Sequence, residues 1–516
     1  VRLLAVRDLA FPPWVDGVRH GLITVMMAAA GEVITTYEPW LPVDYFPYHF
    51  GFHTISATLF MMTGAALPST LLVLGQLLNA LVPLSVYAAA WLMTQRRSVG
   101  LVAAFLVAFP FFFPGYYATW GRYTQLMGML VMPPLVALTW KLLRGGRRWR
   151  HTWWIVGVLA AGLFLIHLRV FLYYLPFAAL VWVAGRFRRW RALGATAGLA
   201  LLLVGLRAWQ LVPRASPGEL LTTTIENYNT FPIGYLTTGW ERLFVGMALF
   251  GALVSLGAWI TGRRWAELPV TLASWVGLLF LLLAGRLIGL PESWLVNLNS
   301  MYIILFFPIS LLIAIPLREI LDFTRTLRFT FYVLRFTFYI ERWTLRVLGS
   351  VGVGVVGTAM LLFGIHHQIG ILNSQTILAY PRDLAALEWV KSNLPADARI
   401  GVSAWRWLGN TWSATDGGAW LLPLTGRAST TPPADYAYSV ALVQSVNTFN
   451  EAASAVEDWS DPAVAEWLRT QRVTHLFVGA KGGFLDPTEL ARNPALELLY
   501  EQDGLFVFAV PPISQR

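Results

Sequence analysis

Ten apolar stretches recur along this chain, at about 70–92, 98–114, 123–143, 152–168, 170–185, 192–213, 241–260, 267–285, 298–317 and 346–366. Each is roughly long enough to cross ~30 Å of hydrocarbon. A bilayer offers backbone N–H and C=O groups no water, so such stretches have to be helices or strands of a closed barrel. Their length selects helices. The expected fold is therefore mainly α: a polytopic membrane helix bundle. Composition agrees, since only 13% of the 516 residues are charged and a soluble domain carries about 25%.

The formal charge is +10, which in a soluble chain would point to nucleic acid. Here the basic residues gather in short loops between apolar runs: Arg96-Arg97, Arg144 to Arg150, Arg186 to Arg191, Arg263-Arg264 and 318–346. That is the positive-inside pattern, so nucleic acid is excluded as a partner and these loops are assigned to the cytoplasm. The loops at 115–122, 214–240 and 286–297 then face outward, with residues 1–66 and everything after 366. The absence of cysteine excludes disulfides, thiolate metal sites and a Cys nucleophile. The first residues, VRLLAVRDLAFPPW, hold neither a Met nor a full span, so a further transmembrane helix is expected ahead of residue 1.

Three regions follow: an outer loop with interfacial helices at 1–66, a bundle at 67–368 with a basic linker at 318–345, and a soluble segment at 369–516. The linker carries a tandem repeat, LRFTFY-V-LRFTFY, read as a spacer. Beyond Gln368, Asp383 to Leu394 reads as a helix with Asp383 as N-cap. Arg399 to Ser403, Thr474 to Val478 and Leu505 to Val510 read as strands, and Ala452 to Gln471 as helix broken near Asp461-Pro462. Alternating helices and strands predict a small extracytoplasmic α/β domain.

Titratable groups concentrate in Phe11 to His53. Asp16 and His20 lie four apart in a segment with helical rhythm, hence on one face. His49 and His53 repeat that spacing at the start of 50–66, read as a helix at the membrane interface. Glu38 and Asp44 read as solvated loop charges. Asp16 alone is as easily a helix cap, and His20 a structural histidine. Arg122 sits in a short outer loop. Arg169, with His167 beside it, sits in the turn between two spans, and Arg207 lies deeper in its span. An ionisable group in or bordering a span is costly to bury and therefore a functional candidate; the competing reading is snorkelling.

An acidic residue in the first outer loop, a Pro-rich turn (YFPYHFGFH, Tyr45 to His53), an interfacial helix and a span ending in Arg-Arg form a familiar series. It resembles the GT-C superfamily of integral-membrane glycosyltransferases, and within it the protein mannosyltransferases and the aminoarabinose transferases of lipid A. The resemblance implies an essential aspartate in the first outer loop, matched by Asp16. It departs from the family where the usual Asp-Glu pair is Asp16-Gly17 and where a Tyr-Pro-Pro turn is Phe46-Pro47-Tyr48-His49. It implies a plasma-membrane enzyme using a polyprenyl-phosphate sugar donor and a glycan, lipid or protein acceptor. Such chemistry needs a base for the acceptor hydroxyl, assigned to Asp16 with His20 beside it. It needs cations for the leaving phosphate, assigned to Arg122, Arg169 and Arg207. His49, His53 and His167 are candidates to meet the acceptor or a divalent metal, which the residues neither require nor exclude. Two other readings stay open: a transporter or flippase of a lipid-linked glycan, and a non-catalytic relative that binds glycan, for which Trp405, Trp407, Trp412 and Trp420 offer stacking surfaces.

Overall fold

The computed structural model describes residues 1–211, 229–237, 239–289, 295–326 and 342–512. The LRFTFY repeat and most of the 214–240 loop lie outside the described residues. The chain forms two compact units: one of residues 1–5, 77–116 and 124–371, the other of 6–76, 117–123 and 372–516.

Among the described residues, eight helices are long and apolar enough to cross a membrane: Leu67–Thr94, Tyr123–Arg144, Arg147–Ile166, Trp190–Gln210, Glu241–Ile260, Arg264–Leu283, Tyr302–Asp322 and Gly354–Thr376. Two shorter apolar helices, Arg97–Ala108 and Leu168–Ala184, stand where the other two spans are expected. The protein is thus a multi-pass membrane protein. The Arg97–Ala108 helix stops short of the expected 114. Pro110 and Pro114 explain this, because the residue before a proline is pushed out of the helical region.

Within the helical unit the loops rich in arginine bond to one another and to helix ends. Arg96 pairs with Asp322 at 2.9 Å and Glu319 at 3.3 Å, and Arg318 with Asp322 at 2.9 Å. Arg144 pairs with Glu267 and donates to the Ala184 carbonyl, while Arg189 donates to the carbonyls of Leu142 and Gly145. Such bonds satisfy the last carbonyls of helices and complement the negative end of their dipoles. Of these helices Tyr302–Asp322 is the most enclosed and Trp190–Gln210 the least. Trp275 is fully buried beside Phe177 and donates its indole N–H to the Tyr173 carbonyl at 2.9 Å.

The other unit joins residues 6–76 to the C-terminal segment. Its helices Trp14–Ala30 and Gly51–Thr63 pack together, and Leu22, Ile23, Met26, Met27, Tyr37, Phe46 and Leu422 form a common core. The C-terminal segment folds around a five-stranded sheet. Its strands are β1 (Arg399–Val402), β4 (Ala428–Ser429), β5 (His475–Val478), β6 (Glu497–Gln502) and β7 (Leu505–Ala509), in the order β4-β1-β5-β7-β6. β1 is parallel to β4 and β5, and β7 antiparallel to β5 and β6. A separate hairpin pairs β2 (Ala404–Leu408) with β3 (Thr411–Ala414). The expected α/β character is present. The break near Asp461-Pro462 falls between helices Val440–Ser454 and Pro462–Thr470, the second capped by the Asp461 side chain. Asp383 is corrected: it lies inside the helix Asp383–Asn393, whose cap position is Arg382. Its carboxylate instead accepts N–H bonds from Tyr380 at 2.7 Å and Ala480 at 2.9 Å.

Candidate functional site at the first outer loop

The chain enters the Trp14–Ala30 helix through Pro12-Pro13, and Pro13 is the extended N-cap residue. Asp16 falls in the first turn, where a carboxylate complements the helix dipole. Its Oδ2 accepts from Nε of Arg122 at 3.1 Å. Both side chains are partly open, 17% exposed at Asp16 and 28% at Arg122. The guanidinium also lies 4.7 Å from the Trp120 ring, adding a cation–π contact.

Two glycines make the pairing possible. Gly121 has φ +60, and a Cβ there would meet Pro13 O at 2.6 Å and the Gly17 backbone N at 2.9 Å. A Cβ on Gly17 would come within 2.7 Å of the Pro12 Cβ. The 117–123 loop therefore lies against the bare backbone of the helix start, which delivers Arg122 to Asp16. A glutamate at 17 would collide with Pro12.

One turn further, His20 Nδ1 lies 3.0 Å from His53 Nε2, and His53 Nδ1 lies 3.2 Å from the His49 carbonyl. A carbonyl only accepts, so His53 carries its proton on Nδ1, and its Nε2 accepts from a proton on His20 Nδ1. Burial holds His53 well below the usual histidine range, reinforced by the charges of His20 and Arg19 and opposed by the His49 bond. Beside this pair Thr24 and Ser56 share a 2.7 Å hydrogen bond. The His20 ring packs against Phe52 and Tyr123, with centroids at 5.4 and 6.1 Å.

As metal ligands these residues do not fit. The lone pair of His53 Nε2 is taken by His20, and Asp16 is taken by Arg122. Among the described residues no three His, Asp or Glu side chains gather around a common point.

The structure also exposes groups that the sequence reading passed over. Arg19, between Asp16 and His20, is held by Asp435, with Nε to Oδ1 at 2.8 Å. Asp435 is fully buried and also accepts from the Tyr37 hydroxyl at 2.5 Å. Arg19 donates to the Tyr438 hydroxyl and lies 4.0 Å from the Tyr48 ring. Although burial works against its charge, Asp435 and the three tyrosines hold the Arg19 guanidinium well above its ordinary value. The C-terminal segment thus fixes the helix that carries Asp16 and His20. Trp420 continues the contact, 5.4 Å from Phe11 and directly against Gly21, and Trp405 lies 5.1 Å from Trp14. Arg19 could have been flagged as a charge in an otherwise apolar helical run; nothing in PPADYAY marks Asp435.

The remaining candidates belong to the helical unit. Arg169 Nε donates to the Leu295 carbonyl at 2.6 Å. His167 is the N-cap of Leu168–Ala184, accepting from Val170 N–H at 3.4 Å. Nearby the Tyr173 hydroxyl bonds Ser300 Oγ at 2.9 Å and the Asn297 carbonyl at 3.0 Å. Arg207 bonds Gln210 on its own helix at 3.4 Å.

No family model and no curated protein matches the sequence. Solved structures do match. The chain is similar to ArnT from Cupriavidus metallidurans bound to undecaprenyl phosphate, at 12% identity and TM-score 0.56, over 99% of this chain and 96% of that one. It is similar to the mycobacterial arabinofuranosyltransferase AftD at 14% identity and TM-score 0.59, over 99% of this chain but only 39% of that one. A third likeness is to the oligosaccharyltransferase AglB from Archaeoglobus fulgidus, in complex with an inhibitory peptide and a dolichol-phosphate. It has 13% identity and TM-score 0.51, over 92% of this chain and 68% of that one. With nearly its whole length superposed on these transferases, the chain has the GT-C fold.

Proposed function

We propose that the protein is a membrane glycosyltransferase that moves a sugar from a polyprenyl-phosphate-linked donor to an acceptor hydroxyl at the outer face of the plasma membrane. Asp16 is the general base. The observation that carries this is the Asp16–Arg122 pair: a partly exposed carboxylate held at a helix start by a guanidinium 3.1 Å away. The neighbours of this fold include ArnT bound to undecaprenyl phosphate and AglB with a dolichol-phosphate, which supports a donor of that class.

In the proposed step the acceptor oxygen bonds to the anomeric carbon as the bond from that carbon to the phosphate oxygen breaks. The hydroxyl proton passes to Asp16, polyprenyl phosphate leaves with the electron pair, and configuration inverts. Arg169 and Arg207 are assigned to the leaving phosphate. Arg122 positions Asp16 through Nε and adds positive charge at the same place. His20 and His53 form the buried wall behind the base.

The test is transfer in proteoliposomes from a panel of labelled polyprenyl-phosphate sugars. Asp16→Asn keeps size and hydrogen bonding but cannot take the proton. General-base assistance is typically worth ~10²–10⁴ in rate, so transfer should fall at least about a hundredfold with donor binding and unfolding temperature unchanged. Undiminished transfer by Asp16→Asn would remove the assignment.

A further inference from the structure

The helical unit also holds a cavity of about 570 Å³. It opens where the Arg97–Ala108 helix has ended, where Glu241–Ile260 begins and where Arg342–Ile369 ends. Five rings line it: Phe112, Tyr235, Trp240, Phe363 and His367. They form one connected set, with centroids 6.0 Å apart for Phe112–Tyr235 and Phe112–His367, 5.8 Å for Phe363–His367 and 5.4 Å for Trp240–Phe363.

The acidic group in the lining is Glu241. Its Oε1 accepts the Phe112 N–H at 2.6 Å. Among the described residues it has no basic side chain as partner. The nearby guanidinium of Arg2 is turned to Gln368 and to the Val107 and Ala108 carbonyls, and Arg2 does not line the cavity. A carboxylate in an apolar wall with one neutral donor is under-compensated. Aromatic faces carry negative potential, and a cage of them with an acid recognises ammonium groups. The lining therefore favours a cation over an anion.

We propose that this cavity binds the ammonium head group of a membrane lipid of the phosphatidylethanolamine type. The bilayer is the source because the mouth lies at the ends of two membrane-capable helices. The first turns above it, at Leu243, Met247, Leu249 and Phe250, and Leu362 on the other helix, present exposed apolar side chains along which acyl chains can lie. Glu241 takes the ammonium, the rings surround it, and the lipid phosphate stays at the mouth. This inference is independent of the transfer chemistry, and its failure would leave that reading intact.

Native mass spectrometry of the purified full chain, titrated with phosphatidylethanolamine and phosphatidylglycerol of identical acyl chains, tests it. The chain's net charge of +10 would by itself favour the anionic lipid, so a preference for the ammonium lipid runs against non-specific attraction. Phosphatidylethanolamine should bind on the order of tenfold tighter, and Glu241→Gln should abolish that preference. Trp240→Leu, at a residue 58% exposed, should weaken it several-fold and serves if Glu241→Gln fails to fold. Equal binding of the two lipids by the native chain, or an unchanged preference in Glu241→Gln, would overturn the proposal. Displacement of the bound lipid by polyprenyl phosphate at equal concentration would also overturn it, by assigning the cavity to a prenyl chain.

Discussion

Asp16 and Arg122 are 106 positions apart, and the structure brings them together. Arg122 is read from sequence as a phosphate ligand; in the structure its Nε donates to Asp16. A lysine would keep the charge but lose both the fork and the stacking on Trp120. Displacing a catalytic group by about 1 Å can cost on the order of 10² in rate. Arg122→Ala should therefore lower kcat by ~10², and Arg122→Lys by less, with thermal stability near that of the native chain. Steady-state transfer kinetics of the two variants check this; equal and full activity in both would leave Asp16 without a positioning partner. Arg19 and Asp435 form the second residue-scale pair, with side-chain exposures of 16% and 0%. Removing one partner of a buried pair leaves the other charge uncompensated, at a cost of about 3–5 kcal/mol. Asp435→Ala should lower unfolding stability by that order in detergent, measured by denaturant titration. Tyr37→Phe, which deletes one hydrogen bond to the same carboxylate, should cost ~2 kcal/mol.

Elements are set by their ends as much as by their apolar faces. In the C-terminal sheet the loops after β3 and β5 are tied by two buried carboxylates. Asp416 accepts N–H bonds from Gly418 at 2.8 Å and Gly479 at 2.7 Å, while Asp383 holds Ala480. Burial pushes Asp416 up to about 7; the two N–H bonds oppose the rise and the Asp383 carboxylate adds to it. An unfolded aspartate titrates near 3.9. Between those values the folded chain holds a proton that the unfolded chain has lost, so stability falls as pH rises. The loss is complete above about 7 and is on the order of a few kcal/mol. The unfolding transition of the C-terminal segment should therefore occur at a lower temperature at pH 8 than at pH 5. Asp416→Asn should flatten that slope; a native transition independent of pH would refute the linkage.

For the molecule as a whole, the arginine loops predict one cytoplasmic face and an outer location for residues 1–66 and the C-terminal segment. Bonds such as Arg96–Asp322 and Arg144–Glu267 join loops that the rule assigns to the same side. The native chain lacks cysteine, so single cysteines report cleanly. Ser454 and Ser98 are both exposed, whereas Ser403 is buried and bonded to Leu485 N–H. Ser454→Cys should react with a membrane-impermeant maleimide on intact cells, and Ser98→Cys only after permeabilisation. Labelling of Ser98→Cys in intact cells would invert the topology and, with it, the side on which transfer occurs.

The sequence by itself determined the eight helices long and apolar enough to cross a membrane. Their signal is local: a contiguous apolar run in lipid must satisfy its backbone internally, whatever its neighbours are. The strands β1, β5 and β7 were legible for a similar reason, being short apolar runs between turns. β6 was not, because ELLYEQ carries charge at an exposed sheet edge. The neighbourhood of Asp16 was legible as a cluster of acids and histidines near one end of the chain, but its pairings were not. His53 turns to His20 across 33 positions, and Arg19 reaches Asp435 across 416. Periodicity places Asp16 and His20 on one face of a helix. Only the tertiary structure decided that Arg122 meets the first and His53 the second, because that depends on two bare glycine backbones touching and on a C-terminal segment packing against the first loop. Close approach of distant backbones leaves no periodic trace in a sequence, whereas solvation by lipid writes one along every span.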